Sequence, residues 1–161
     1  FTGDRQMPSK EYRSLIDDFF TLMKNHENIS SIRIDETKWS LKEMIGHLID
    51  SASNNHQRFI RLQTEKEIIF PYYDPEEWKN ISKVNSVDCS QLISFWKYYN
   101  DFIIHIIENI NPANLENVWK TSEGNKSLGF LLSDYFSHMK IHYDMFEERV
   151  SEIISNKVKK N

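Results

Sequence analysis

Trp39-Ser40-Leu41-Lys42-Glu43-Met44-Ile45-Gly46-His47-Leu48-Ile49-Asp50-Ser51 decides how this chain is read, because it holds both the start of a long helix and the head of a polar stripe along it. Ser40 followed three residues later by Glu43 is a capping box, in which each side chain satisfies a backbone N–H that the first helical turn leaves free. Trp39 and Met44 are spaced as a hydrophobic staple across that start. Apolar Leu41, Ile45, Leu48 and Phe59 then recur at helical spacing, and the helix is expected to run to about Thr64.

Three further segments repeat the pattern. Tyr12, Leu15, Ile16, Phe19, Leu22 and Met23 form one stripe after Pro8-Ser9. A later helix opens at Asp88 with Gln91 three residues on, carries Leu92, Phe95, Trp96, Tyr99, Ile103, Ile106 and Ile110, and is stopped by Asn111-Pro112. The last starts near Ser127 and carries Leu131, Leu132, Tyr135, Met139, Phe146 and Val150. Asp74-Pro75-Glu76-Glu77 reads as one short helical turn inside the connection that follows Thr64. A second long connection spans Asn111 to Lys126, and connections of this length act as lids, binding loops or crossovers.

Composition agrees with helices. The 161 residues are 39% hydrophobic and contain only 4 Gly and 4 Pro, few breakers for an all-β fold. One domain over residues 1–161 and an all-α four-helix bundle with long crossover loops follow. Net charge is −4, and the one basic run is Val158-Lys159-Lys160, so a nucleic-acid partner is not expected. No apolar run reaches the ~20 residues that span a membrane, and a cytoplasmic location is the default. Phe1-Thr2-Gly3 lacks a Met and reads as a truncation or an expression remnant. Cys89 is the only cysteine, which excludes an internal disulfide and a thiolate cluster. At a helix start its pKa could be lowered, though a plain, partly buried residue is the commoner case.

The polar residues on apolar stripes carry the chemistry. His138 and His142 lie one turn apart on one face, with Asp134 a turn earlier. Two imidazoles at this spacing can bind one metal ion, although surface or core histidines give the same pattern. The residues between them are Met139-Lys140-Ile141, with no glutamate base. On the Ser40-capped helix, His47, Ser51, Asn54 and Arg58 fall within about 60° of one another. Such residues are costly to bury unpaired, so they line either a polar pocket or a solvated face. Asn100 shares a face with Trp96, Ile103 and Ile107, as a pocket residue or a core amide. Three histidines from two helices would leave open positions for water or substrate, and neutral imidazoles suit Zn, Ni, Cu or Fe. Asp50 or Asp134 could orient an imidazole, with an exposed helix acid as the alternative. His56 faces away from His47, His26 sits at a helix end, and His105 lies between apolar positions. Trp39, Trp78, Trp96 and Trp119 read as core and loop anchors.

The Trp39–Ser51 segment resembles the second-helix signature of the DinB/YfiT-like superfamily. Leu132-Ser133-Asp134-Tyr135-Phe136-Ser137-His138-Met139-Lys140-Ile141-His142 resembles its last-helix signature, and the Phe70-to-Trp78 loop and Tyr98-Tyr99-Asn100 extend the likeness in order along the chain. The resemblance implies an up-up-down-down bundle, a divalent metal, Zn or Ni first, on His47, His138 and His142, and a homodimer. It also implies a metal-dependent S-transferase that uses a low-molecular-weight thiol such as bacillithiol and an electrophile. A metal-dependent hydrolase and a non-catalytic, stress-related binding protein are the alternatives. Ser51, Asn54, Arg58 and Asn100 are the substrate-side candidates.

Overall fold

The computed structural model describes residues 9–160, the side chains of 158–160 excepted. The expectations placed on Phe1-Thr2-Gly3, Pro8 and Val158-Lys159-Lys160 lie outside the described residues and side chains. Four long helices form a bundle: α1 (Ser9–Asn25), α2 (Leu41–Thr64), α4 (Cys89–Glu108) and α5 (Leu128–Lys160). Between them lie the short α3 (Pro75–Ser82) and three strands, β1 (Glu67–Ile69), β2 (Val118–Thr121) and β3 (Gly124–Ser127).

The starts are built as local chemistry dictates. Ser40 Oγ accepts from the Glu43 N–H at 3.2 Å and the Glu43 carboxylate accepts from the Ser40 N–H at 2.8 Å. Asp88 caps α4 through the Gln91 N–H, and Asp74 caps α3 through the N–H groups of Glu76 and Glu77. α3 runs eight residues rather than a single turn and ends at Lys83, which takes the left-handed conformation at φ 51°. α4 ends at Glu108, before Asn111-Pro112, with Asn109 as its C-cap.

The bundle packs as a ring in which α1 and α2 are diagonal to each other, as are α4 and α5. Arg13 pairs with Glu108 and Lys97 with Asp17, so α1 and α4 are antiparallel. Tyr12 stacks on Phe136 while Phe19 meets Tyr143 and Phe146, so α1 and α5 are parallel. Phe59 meets Tyr135 near the end of α2, and Arg149 donates to the Trp39 carbonyl at its start, so α2 and α5 are antiparallel. The directions are therefore up-down-down-up where up-up-down-down was expected. Parallel α2 and α4 need the long crossover, and the diagonal step from α4 to α5 uses the second connection.

Those two connections are not plain loops. β1 pairs parallel with β2, Ile68 opposite Trp119, and β2 pairs antiparallel with β3 through a two-residue turn. Gly124 closes that turn at φ +115°, which a side chain would strain. The core is one cluster, centred on Phe19, Phe59, Trp96, Phe146, Ile103 and Ile104, all fully buried. Phe95 was expected on the inner stripe of α4 but is 55% exposed, beside exposed Tyr98 and Phe102. Ile93 and Ile104 take the inner positions instead.

Candidate metal centre and pocket

The capping box fixes where α2 begins, and Gly46 lets the turn at Val84 press against that first stretch. His47 follows one residue later. α5 runs antiparallel to α2 and presents His138 and His142 one turn apart. The three imidazoles meet: their nearest ligand atoms all lie within 4.8 Å of one another. His142 Nε2 and His138 Nε2 are 3.1 Å apart, and His47 is 4.8 Å from His142 between ring centroids. Two nitrogens on one tetrahedral zinc stand roughly 3.3 Å apart, so that pair is already at ligand spacing. All three rings are half-buried.

Burial sets their charge. It depresses His47 to about 4, with the neighbouring His138 adding a smaller push. His142 also falls to about 4, by burial first and then by His138 and His47. His138 is lowered by burial, while Asp134 works the other way. Neutral imidazoles are the form that binds metal, and the set is in that form at pH 7. Nδ1 of His47 and Nδ1 of His142 are buried without a hydrogen-bond partner. Three neutral imidazoles whose nearest nitrogens converge, two of them with an unpartnered buried Nδ1, fit a divalent cation.

The cluster sits at one end of a pocket of about 260 Å³ whose wall includes His47, His138, Ser51, Arg58, Tyr73 and Trp119. Ser51 and Arg58 lie on that wall. Asn54 and Asn100 do not. The Asn54 amide turns back to donate to the Asp50 carbonyl at 2.9 Å, and Asn55 takes its place on the pocket wall. Asn100 is fully buried in the core, donating to the Trp96 carbonyl and accepting from the Tyr135 hydroxyl at 2.6 Å. Asp134 lines the pocket, exposed, but neither it nor Asp50 hydrogen-bonds an imidazole, so the expected orienting role is not seen. Asp50 lies close enough to Tyr73 to help hold that phenol up at about 12, after burial, and its own carboxyl is raised by burial to about 6.

His56 accepts or donates at the Tyr99 hydroxyl, away from the cluster; His26 Nδ1 meets the Leu22 carbonyl, and His105 is exposed. Cys89 is buried, and burial raises its thiol rather than lowering it. Trp119 is a pocket wall as well as an anchor, with its indole N–H on the Phe70 carbonyl at 3.0 Å. Lys126 was missed because the β2–β3 hairpin delivers it. Leu131 and Tyr135 were legible, since they share the α5 face with His138 and His142.

Histidines gathered this way inside a helical bundle, at one end of a pocket, define a class of bundles with a potential metal-ligand cluster between helices. The particular fold, a four-helix bundle with crossovers tied by a small sheet, is shared with solved structures. YfiT from Bacillus subtilis superposes with a TM-score of 0.78 over 95% of this chain and 91% of its own, at 14% identity; it is described as a probable metal-dependent hydrolase with an unusual four-helix bundle topology. A mycothiol-dependent maleylpyruvate isomerase superposes at TM-score 0.59 over 89% of this chain and 62% of its own, also at 14% identity. In sequence, a candidate metal-dependent hydrolase from Oceanobacillus iheyensis is 25% identical over 82% of this chain and 80% of its own. Another from Bacillus mycoides is 28% identical over 65% and 60%. No family model matches the chain. Among the described residues, no helix is long and apolar enough to cross a membrane.

Proposed function

We propose that the protein is a metal-dependent enzyme acting on a small molecule, with His47, His138 and His142 holding Zn or Ni and the pocket holding the substrate. The observation that carries this is the burial-neutralised triad with two of its members on the pocket wall. Within that reading we favour S-transfer from a low-molecular-weight thiol such as bacillithiol to an electrophile. When bound, the metal would make a thiol acidic enough to react as a nucleophile at neutral pH. The chain's own residues would orient the rest: Tyr72, Tyr73 and Trp119 as an apolar wall, and Arg58 and Lys126 for polar ends of the thiol or acceptor. A thiol-dependent structural neighbour supports this choice.

Hydrolysis is the second reading, favoured by the descriptions of the sequence relatives and by Asp134, a carboxylate on the pocket wall beside His138. The same experiment separates the two. Zinc- and nickel-loaded protein is incubated with bacillithiol, mycothiol or glutathione and monochlorobimane, and separately with ester and amide substrates without thiol. Metal-dependent bimane conjugates support transfer, and turnover without thiol supports hydrolysis. Stoichiometric metal binding with unchanged affinity in His142→Ala would remove the ligand assignment on which both rest. A cytoplasmic homodimer of one domain is part of the same proposal, and light scattering tests the dimer.

A further inference from the structure

At the end of the pocket away from the histidines lies a cation without a counter-ion. Arg58 is only 7% exposed, and its guanidinium sits 4.0 Å from the centre of the Trp119 ring and 5.3 Å from that of Phe70. Its Nε is buried with no hydrogen-bond partner, and no ion pair reaches the group among the described residues. The titratable groups that act on it are Tyr73 and Tyr72, with no carboxylate among them. Lys126 lies 5.7 Å from the centre of the same Trp119 ring and in the same pocket, also without an ion pair among the described residues. The acid on the pocket wall is Asp134, which is exposed and belongs to the His138 end.

A buried charge is costly unless it is paired, and stacking on aromatic faces offsets only part of that cost. Arg58 follows His47 by eleven residues, which at 1.5 Å per residue is roughly 16 Å of helix. Ser51 and Asn55 line the stretch between them. Stacking leaves the guanidinium edge for planar recognition of an oxyanion.

We propose that this end of the pocket is an anion subsite, in which Arg58, backed by Trp119 and assisted by Lys126, holds the carboxylate or phosphate of an extended small molecule. The opposite end of that molecule reaches the histidine cluster about three helical turns away. This deepens the functional reading given above and rests on it only for which end reacts. An Arg58 that merely braced the sheet through Trp119 would bind no anion.

The test uses the metal-free protein and minimal probes. The Arg58 Nε–H resonance is followed by 15N NMR during titration with acetate, inorganic phosphate, neutral acetamide and sodium chloride. The expected result is a saturable shift with acetate or phosphate and none with acetamide or chloride; the tighter anion names the group. Arg58→Gln should weaken binding about tenfold or more, read at the amides of Ser51 and Asn55. Should that variant not fold, Arg58→Lys should bind more weakly than wild type, and Lys126→Gln should weaken binding several-fold. No saturation in the wild type, or the same response to chloride, would overturn the subsite. Zinc titration of the same sample reads the histidines separately: zinc without anion binding sinks this inference alone, and anion without zinc binding sinks the metal reading alone.

Discussion

Gly46→Ala is expected to destabilise the protein although alanine is the better helix former. Replacing a helix-interior glycine contributes about 0.5–1 kcal/mol in favour of folding. Against this, a Cβ at position 46 would lie 2.8 Å from Val84 Cγ1 and 3.1 Å from Val84 Cγ2. Val84 has little room to retreat. The next residue, Asn85, accepts from the Ser40 hydroxyl and from Lys42, each at 2.9 Å. Overpacking of this kind costs about 1–3 kcal/mol, so the net change should be a loss centred near 1 kcal/mol and no more than about 2.5 kcal/mol. Urea unfolding with an unchanged m value measures it. A Val84→Ala background removes the two closest contacts and leaves only Val84 Cβ at 3.3 Å, so Gly46→Ala should become close to neutral. Equal effects of Gly46→Ala in both backgrounds, or a more stable single variant, would refute the reasoning.

Three further outcomes follow from the same contacts. Between pH 6.5 and about 4 the unfolded chain binds protons that His47 and His142 refuse in the metal-free fold, so stability is present above pH 6.5 and is lost as pH falls. Asp50, raised to about 6, has the opposite sign and offsets part of this, leaving a net loss on the order of 4 kcal/mol by urea unfolding and a steeper one in Asp50→Asn. Tyr135→Phe removes the donor to Asn100 Oδ1 at a fully buried site and should cost about 1–3 kcal/mol by thermal or urea unfolding. Cys89 should react with iodoacetamide far more slowly in the folded protein than in the denatured one, because its thiol is buried and raised.

The parts of the molecule legible in the sequence are those set by residues within a turn or two of each other. Ser40 with Glu43, Asp74 with Pro75, and Asp88 with Gln91 declare helix starts because cap and donor are three residues apart or fewer. His138 and His142 were readable for the same reason. What failed depends on distant partners. The β1–β2 pairing joins residues about fifty positions apart in strands of three and four residues, too short to show a period. A helical wheel centred on His47 favours Asn54, but the pocket lies towards β2 and α5 and takes Asn55. For Cys89 the plain, buried reading holds over the helix-start one, through burial that only the packed fold supplies.

The three-stranded sheet has a consequence for how such a protein can change over generations. Every histidine of the cluster is borne by α2 or α5, whereas Tyr72, Tyr73, Trp119 and Lys126 hang from the two crossovers that the sheet ties into one piece. The histidines and the crossover part of the pocket wall thus rest on separate supports, while Arg58 shares α2 with His47. A drift in the crossovers can therefore reshape that wall while the bundle keeps its histidines in register.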